Sequence, residues 1–247
     1  VVSIISQMAG ISSILTAAEL LNNNSGGKGV LLGGVAGVPP AKVVILGSGT
    51  VAEFAVKTAI GLGADVRVFD NDISKLVRIQ NRVGRSLNTS TLNPQQLEKE
   101  LITAEVVIGA IHSKSGRTPV VVNEETVAKM KEGTVIIDVS IDQGGCFATS
   151  RMTTHKDPTF IEHGVIHYCV PNIASNFART ASIAVSNILT PLLQNAGSTE
   201  NIERLLYDHP GLRHGVYTYK GCLTNEYLGG RLGIKATSLD LLLTSQR

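Results

Sequence analysis

Residues 42–52 read KVVILGSGTVA, and this stretch decides the fold. Its first five residues form an apolar run that predicts a buried β-strand, and residues 51–62 have the pattern of a helix. In the turn between them, Gly47 permits the sharp change of direction, Gly49 lets a ligand approach the backbone, and Ala52 lets the helix pack closely on the strand. Because the free N–H groups at such a helix start attract an anion, the pattern predicts a site for the diphosphate of a dinucleotide.

An acidic residue ends the second predicted strand. Asp70 stands about 20 residues after the glycine turn, where the dinucleotide fingerprint places the carboxylate that accepts hydrogen bonds from ribose hydroxyls. A carboxylate there repels a 2′-phosphate, so we expect NAD rather than NADP as the cofactor. Two alternatives stay open. Asp70 could cap the next helix, although Asp72 is better placed for that, and methyltransferases also combine a glycine-rich loop with an acid after the second strand.

Apolar strands alternate with helices through most of the chain. The predicted strands are 42–46, 65–70, 104–110, 134–139 and 165–170, with a weaker signal at 86–89. The predicted helices between them are 51–62, 73–83, 94–102 and 123–131. Strands that are almost entirely apolar are typical of parallel sheets covered on both faces. We therefore predict an α/β fold with a doubly wound parallel sheet, the Rossmann arrangement that binds dinucleotides.

The two ends of the chain differ from this pattern. Residues 1–18 carry no charge, and apolar residues recur there at helical spacing, at Ile4, Met8, Ile11, Leu15 and Ala18. We expect a buried connecting helix over 3–21 rather than a signal peptide or a membrane span, because Ser, Thr and Gln side chains interrupt the stretch. From residue 178 a long helix and a mixed polar tail follow. We predict a Rossmann domain over 1–177 and a C-terminal segment, 178–247, that belongs to a second, incomplete substrate domain.

Composition argues against several other functions. The net charge is +2 and no Lys/Arg cluster occurs, so neither a nucleic acid nor a membrane is expected as a partner. The three cysteines, Cys146, Cys169 and Cys222, form no CxxC motif, which disfavours a disulfide framework and fits a reducing cytoplasm. His163 and His167 are four residues apart, but the glycine and β-branched residues between them predict a strand, so no metal site is expected.

Longer stretches resemble a known family. They are GVLLGGVAGVPPAKVVILGSG (29–49), LGADVRVFDNDISKL (62–76), VVIGAI (106–111), GTVIIDVSIDQGGCFATSRMTTHKDPTF (133–160) and HYCVPNIAS (167–175). Together they resemble the family that comprises alanine dehydrogenase and the NAD(P) transhydrogenase α-subunit. The segment IDQGGCF favours the alanine dehydrogenase branch, because the transhydrogenase subunits differ at that turn.

The resemblance implies an enzyme that oxidises L-alanine with NAD and water, reversibly, to pyruvate, ammonium and NADH. It also implies a Rossmann domain beside a substrate domain built from the N-terminal part and a returning C-terminal segment, in a cytoplasmic protein that is typically a homo-hexamer. We expect that this chain lacks the N-terminal part. The Arg, Lys and His that bind and activate the substrate in the family would be lost with it, so the chain should bind NAD without turning over alanine.

The fingerprint and the resemblance together assign cofactor contacts. The assigned residues are Ser6, Gly47, Gly49, Asp70, Lys75, Ile111, His112, Val139, Ser140, Ile141, Asp142, Arg151, Val170, Pro171, Asn172 and Ile173. Some positions depart from the usual family residues. Gln7 stands where Glu is usual and His112 where an apolar residue is common, while Pro171 and Ile173 stand where Ala and Met are more usual.

Asp142 is the candidate catalytic residue. It follows the strand predicted at 134–139, and loops at the carboxyl ends of parallel strands face the ligand crevice. Loss of hydride from Cα of alanine leaves a cationic iminium, which a nearby carboxylate would stabilise. The same carboxylate could orient or deprotonate the water that adds to the iminium. The alternative is that Asp142 only binds amides of the turn at Gly144 and Gly145.

Two other functions remain open from the sequence. One is the NAD(H)-binding component of a proton-translocating transhydrogenase, which would pass hydride to NADP on a partner. The other is an NAD-binding module without catalysis. The upstream coding sequence would distinguish them: an Arg, a Lys and a His in a preceding α/β segment favour the dehydrogenase, and a natural start at Val1 favours the binding module.

Overall fold

The computed structural model of the chain describes residues 2–113, 116–199 and 202–244. Contacts divide the chain into two compact units, Val1–Ile183 and Ala184–Arg247. The division falls inside the long helix Ala178–Thr199, whereas the sequence analysis placed the domain boundary at the start of that helix.

A seven-stranded sheet forms the centre of the first unit. Its strands are β1 (Lys42–Leu46), β2 (Asp65–Phe69), β3 (Asn88–Ser90), β4 (Val106–Gly109), β5 (Val135–Asp138), β6 (Thr159–Glu162) and β7 (Val165–Tyr168). The helices of this unit are α1 (Val2–Leu20), α2 (Thr50–Gly61), α3 (Ile73–Val83), α4 (Pro94–Leu101) and α5 (Glu124–Ala128), and α6 (Ala178–Thr199) begins in it. The strand order is β3-β2-β1-β4-β5-β7-β6, and all neighbouring pairs are parallel except β6 with β7. The predicted doubly wound parallel sheet is confirmed.

The two faces of the sheet belong to separate hydrophobic clusters. Alternate side chains of β1 point to opposite faces: Val43 and Ile45 join the cluster that α1, α2 and α3 cover, and Val44 and Leu46 join the cluster under α4 and α5. This is the two-residue period of a strand buried on both sides. It explains why the strands read as continuous apolar runs in the sequence.

Strand β6 was not predicted from the sequence. It pairs antiparallel with β7 through a tight turn at His163 and Gly164, which have φ angles of 51° and 74°. Two consecutive left-handed residues match the twist of a two-residue hairpin. The strand lies at the sheet edge with half-exposed side chains, so it lacks the apolar run that marked its neighbours.

Helix α1 packs on α2 through small residues, and this corrects the predicted core face. Ile11 and Leu15, from the row expected inside, are 39% and 42% exposed. The buried residues of α1 are Ala9, Gly10, Ser12, Ser13, Ile14 and Ala17. A β-carbon on Gly10 would lie 2.3 Å from the carbonyl oxygen of Val51 in α2. Because the helices approach so closely at Gly10, small side chains fill this contact, while Ile11 and Leu15 face outward.

Helix α1 also has the length and apolar composition of a membrane span, with a mean hydropathy of 1.2. These two properties are weak evidence, because the core helix of a globular domain shares them. The close contact of Gly10 with α2 is the behaviour of such a core helix.

The second unit contains short elements around a small apolar cluster. They are α7 (Ile202–Asp208), α8 (Pro210–Arg213), β8 (Thr218–Tyr219), β9 (Cys222–Leu223), α9 (Glu226–Leu232) and α10 (Leu239–Thr244). Leu206, Leu239 and Leu243 form the buried centre of this cluster. Strands β8 and β9 make an antiparallel hairpin that the sequence analysis had read as part of a mixed polar tail.

Candidate functional site

The glycine-rich loop joins β1 to α2 at the point where the strand order reverses. Gly47 has a φ of 108°, and a β-carbon there would lie 2.4 Å from the carbonyl oxygen of Ala110, so only glycine fits. Gly49 is the N-cap residue of α2 and no side chain caps the helix. Among the described residues, no heavy atom other than those of Gly49 and its chain neighbours lies within 4 Å of the position that a β-carbon on Gly49 would take. The loop therefore offers an uncapped helix start with open space beside it, which suits a diphosphate.

Asp70 lies directly after β2 and beside this loop. One of its carboxylate oxygens accepts a hydrogen bond from Ser48 Oγ at 2.6 Å, and the other accepts from the backbone N–H of Asp72 at 2.9 Å. The helix cap belongs to Asp72, which accepts from the N–H of Lys75 at 3.2 Å, so the alternative of Asp70 as the cap of α3 is wrong. Each Asp70 oxygen has further acceptor capacity for a ribose hydroxyl.

A cavity of about 390 Å³ opens where α1 meets the carboxyl ends of β4, β5 and β7. It starts at the glycine loop, because Val51 in the first turn of α2 is part of its wall. Nine of the residues assigned from the sequence line it: Ser6, Ile111, His112, Val139, Ser140, Asp142, Val170, Asn172 and Ile173. The structure thus brings together side chains from four separate segments of the chain.

The remaining assigned residues lie outside the wall of this cavity. Gly47, Gly49 and Asp70 belong to the adjoining diphosphate loop. Lys75 pairs with Asp72 at 3.5 Å on the surface of α3. The guanidinium of Arg151 lies 4.0 Å from the ring centroid of Phe160. Pro171 and the buried Ile141 are the last two of the assigned residues, and neither lines the cavity.

Asp142 is exposed on the cavity wall. Within the described part of the chain its carboxylate oxygens have no hydrogen-bond partner. The amides of Gly144 and Gly145 bind the backbone carbonyl oxygens of Ile141 and Ser140 instead. The turn therefore does not use the Asp142 carboxylate, which is left available to a ligand.

Asp138 is a site residue that the sequence analysis missed. Its buried carboxylate accepts hydrogen bonds from the N–H of Ser140 at 3.0 Å, the N–H of Cys146 at 2.9 Å and Ser150 Oγ at 2.6 Å. Burial raises the pKa of Asp138, and these donors oppose that rise because they stabilise the charged form. The available signal was a carboxylate that ends an otherwise apolar strand, VIID.

Ser140 is one of the residues that line the cavity, and its hydroxyl is buried. The residue is 6% exposed, and Ser140 Oγ has no hydrogen-bond partner among residues 2–113, 116–199 and 202–244. Its neighbour, the Cys146 thiol, is only a weak hydrogen-bonding group. A buried polar atom without a partner is rare and calls for a bound group to satisfy it. The hydroxyl and the glycine cradle at the other end of the site together fit the nicotinamide and diphosphate parts of NAD.

The four-residue spacing of His163 and His167 raised the question of a metal site, but each histidine has its own hydrogen-bond partners within the protein. His167 is buried between Thr149 Oγ1 and the carbonyl oxygen of Val165, and burial lowers its pKa, so it is neutral at pH 7. His163 contacts Glu124. In the described ranges, no group of three His, Cys, Asp or Glu side chains is arranged to hold a metal ion.

Comparisons with known proteins identify the family of this chain. The family described as "Alanine dehydrogenase/PNT, C-terminal domain" matches residues 13–226. Alanine dehydrogenase of Staphylococcus haemolyticus is 38% identical over 236 residues, which cover 95% of this chain and 63% of that protein. Alanine dehydrogenase 2 of Staphylococcus aureus strain USA300 is 40% identical over 225 residues, 90% of this chain and 59% of that protein. The chain therefore spans about three-fifths of the length of these relatives.

Solved structures give the same result. A structure of L-alanine dehydrogenase superposes with a TM-score of 0.87 at 35% identity and covers 94% of this chain and 63% of its own. The transhydrogenase from Sinorhizobium meliloti has a TM-score of 0.68 at 21% identity, with coverage of 83% and 56%, and shows the fold alone. The profile match over most of the chain, the similar sequences and the shared structure lead to one conclusion: this chain belongs to the alanine dehydrogenase/PNT C-terminal domain family.

Proposed function

We propose that the chain is the NAD-binding part of an L-alanine dehydrogenase, which oxidises L-alanine with NAD and water to pyruvate, ammonium and NADH. The observation that carries the proposal is the unpaired carboxylate of Asp142 on the wall of the cavity that begins at the glycine loop. The relatives named alanine dehydrogenase support the choice of substrate.

Different residues of the site bind different parts of NAD. The start of α2 and Gly49 hold the diphosphate, Asp70 accepts hydrogen bonds from the adenosine ribose, and the Ser140 hydroxyl binds the nicotinamide half. We retain the remaining assigned contacts, including Lys75 and Arg151, as predictions of this proposal.

Asp142 acts on the substrate. NAD bound in the site would accept the hydride from Cα of alanine. The Asp142 carboxylate stabilises the positive charge that develops on the substrate nitrogen, and it orients the water that then attacks the iminium carbon.

A cation for the substrate carboxylate has to come from another part of the protein. None of the described residues that line the cavity is Lys or Arg. A carboxylate substrate normally requires such a partner. We therefore propose that the 247-residue chain binds NAD but does not turn over alanine by itself.

A transhydrogenase component is the second candidate function. The family name includes PNT, and the transhydrogenase fold is similar. Among the superposed structures, the identity is 35% to L-alanine dehydrogenase and 21% to the transhydrogenase, which favours the dehydrogenase.

We also propose that the protein is cytoplasmic and assembles as a homo-oligomer, a hexamer by family resemblance. Cys146, Cys169 and Cys222 are free thiols, as expected in a reducing compartment. Light scattering on the purified protein would measure the number of copies, and a monomer would contradict the assembly.

Titration of the chain with NADH tests the proposed binding, and a chain without any NADH signal would refute it. Catalysis is tested in the chain extended by its upstream coding sequence. There, Asp142→Asn should abolish most alanine-dependent NADH formation, because the amide cannot stabilise a cation or accept a proton. Asp157→Asn is the control, since Asp157 is exposed and lies outside the cavity wall. Full turnover in Asp142→Asn would contradict the role given to this carboxylate.

A further inference from the structure

We propose that Asp138 is a positioning residue, whose buried carboxylate fixes the loop that presents Ser140 and Asp142 to the cavity. The inference rests on the proposed function, because it assigns the nicotinamide end of the site to this loop. Asp138 itself is not part of the cavity wall and acts through the backbone.

The carboxylate connects the two ends of the loop. After β5 the chain makes a 3-10 turn over Val139–Gln143 and reverses direction at Gly144 and Gly145, which have φ angles of 98° and 82°. One Asp138 oxygen accepts from the N–H of Ser140 at 3.0 Å, at the start of the loop. The other accepts from the N–H of Cys146 at 2.9 Å, where the loop ends. Asp142 lies between these anchors, and both restrict its position.

A side-chain donor adds to these two backbone anchors of Asp138. Ser150 Oγ lies 2.6 Å from the same oxygen that binds Cys146, a short distance typical of a hydroxyl on a charged carboxylate. Each of these hydrogen bonds stabilises the charged form of the carboxylate and so offsets part of the loss of hydration. An asparagine at this position would turn an NH₂ group toward one of these donors and leave both groups unsatisfied.

Two glycines provide the space that the carboxylate occupies. A β-carbon on Gly145 would lie 2.7 Å from one Asp138 oxygen, and a β-carbon on Gly109 at the end of β4 would lie 2.8 Å from the other. A side chain at either position would displace the carboxylate. Gly145 therefore serves the buried carboxylate as well as the turn.

The test separates the two halves of the cofactor. We would measure the dissociation constants of NADH and of ADP-ribose, which lacks the nicotinamide, for the 247-residue chain and its variants. We expect Asp138→Asn to weaken NADH binding about ten-fold and Ser150→Ala about three-fold, since hydrogen bonds to a charged group are among the strong ones. ADP-ribose binding should change less than about two-fold in both, because the diphosphate loop lies on another strand. Thr149→Ala is the control: its hydroxyl binds His167, and neither ligand should be affected.

Each outcome decides the question. Unchanged NADH binding in Asp138→Asn would overturn the inference, and so would an equal loss of NADH and ADP-ribose, which would indicate a general structural role. If Asp138→Asn does not fold, Ser150→Ala decides by the same criterion, because it removes one donor and leaves both backbone anchors. A wild-type chain that bound neither ligand would instead refute the proposed function itself.

Discussion

Replacement of Asp70 tests the cofactor preference, and the proposed complex gives this carboxylate two separable roles. It fixes the glycine loop through Ser48 Oγ at 2.6 Å and the entry to α3 through the N–H of Asp72 at 2.9 Å. In the proposed complex it also accepts hydrogen bonds from the adenosine ribose. Asp70→Asn keeps the size and one acceptor oxygen, whereas Asp70→Ala removes both roles.

The expected magnitude follows from the charge of the acceptor. A hydrogen bond to a charged group contributes about 1.5–3 kcal/mol, so loss of one ribose contact should weaken NADH binding by about 10- to 100-fold. NADPH binding should weaken less or improve, because the repulsion between Asp70 and a 2′-phosphate disappears with the charge. We therefore expect the preference for NADH over NADPH to fall by at least about ten-fold in Asp70→Asn and Asp70→Ala.

Ser48→Ala supplies the matched control. It removes the hydrogen bond that fixes the loop and leaves the carboxylate, so it should weaken NADH and NADPH binding by similar factors without a change in their ratio. Fluorescence titrations of both cofactors at one ionic strength measure all four proteins. An unchanged ratio in both Asp70 variants would show that Asp70 serves only the loop and would refute the argument for NAD preference.

Two further predictions concern stability. Gly10→Ala should destabilise the chain by about 1–3 kcal/mol, because the new methyl group would meet the carbonyl oxygen of Val51 in α2. Gly61→Ala is the control, because Gly61 lies at the end of α2 with open space around it, and it should stabilise the chain by up to about 1 kcal/mol. Denaturant titrations measure both variants, and a change in unfolding free energy of the same sign in both would contradict the packing described for α1. Glu105 forms an ion-pair cluster with Lys28 and Lys131. Burial alone raises the pKa of Glu105, but these two ammonium groups outweigh it and hold the pKa below its ordinary value. A lowered carboxyl pKa gives stability that is fully present above the unfolded-state value, about 4.3, and is lost as the pH falls through the folded-state value. Glu105→Gln should therefore flatten the dependence of unfolding free energy on pH below about 4.3, and an unchanged slope there would count against this ion-pair cluster.

Part of the candidate site was accessible from sequence because its signals are local. The glycine loop and Asp70 are recognisable at fixed spacing along the chain, and the structure places them side by side. Asp138 was not accessible in the same way. Its partners are the amide of Cys146 and the hydroxyl of Ser150, and a lone aspartate at a strand end gives no indication of which donors will surround it.

The packing of α1 shows the same limit. Helical spacing of large apolar residues predicted the helix correctly, but the face that became buried contains Gly10 and Ala17. Side-chain size favours the large residues as a core face when the helix is considered alone. The close approach of α1 to α2 places small residues in the contact instead, and this approach depends on where α2 leaves the sheet.

The sequence by itself determined the alternation of strands and helices, the doubly wound sheet and the dinucleotide loop, because each depends on neighbours within a few residues or on one short spacing. Only the tertiary structure decided which side of α1 is buried, where the edge strand β6 pairs, and how a buried carboxylate holds the loop that carries Asp142. These features arise from contacts between segments far apart in the chain, where the fit of surfaces and the pairing of buried polar groups outweigh local preference.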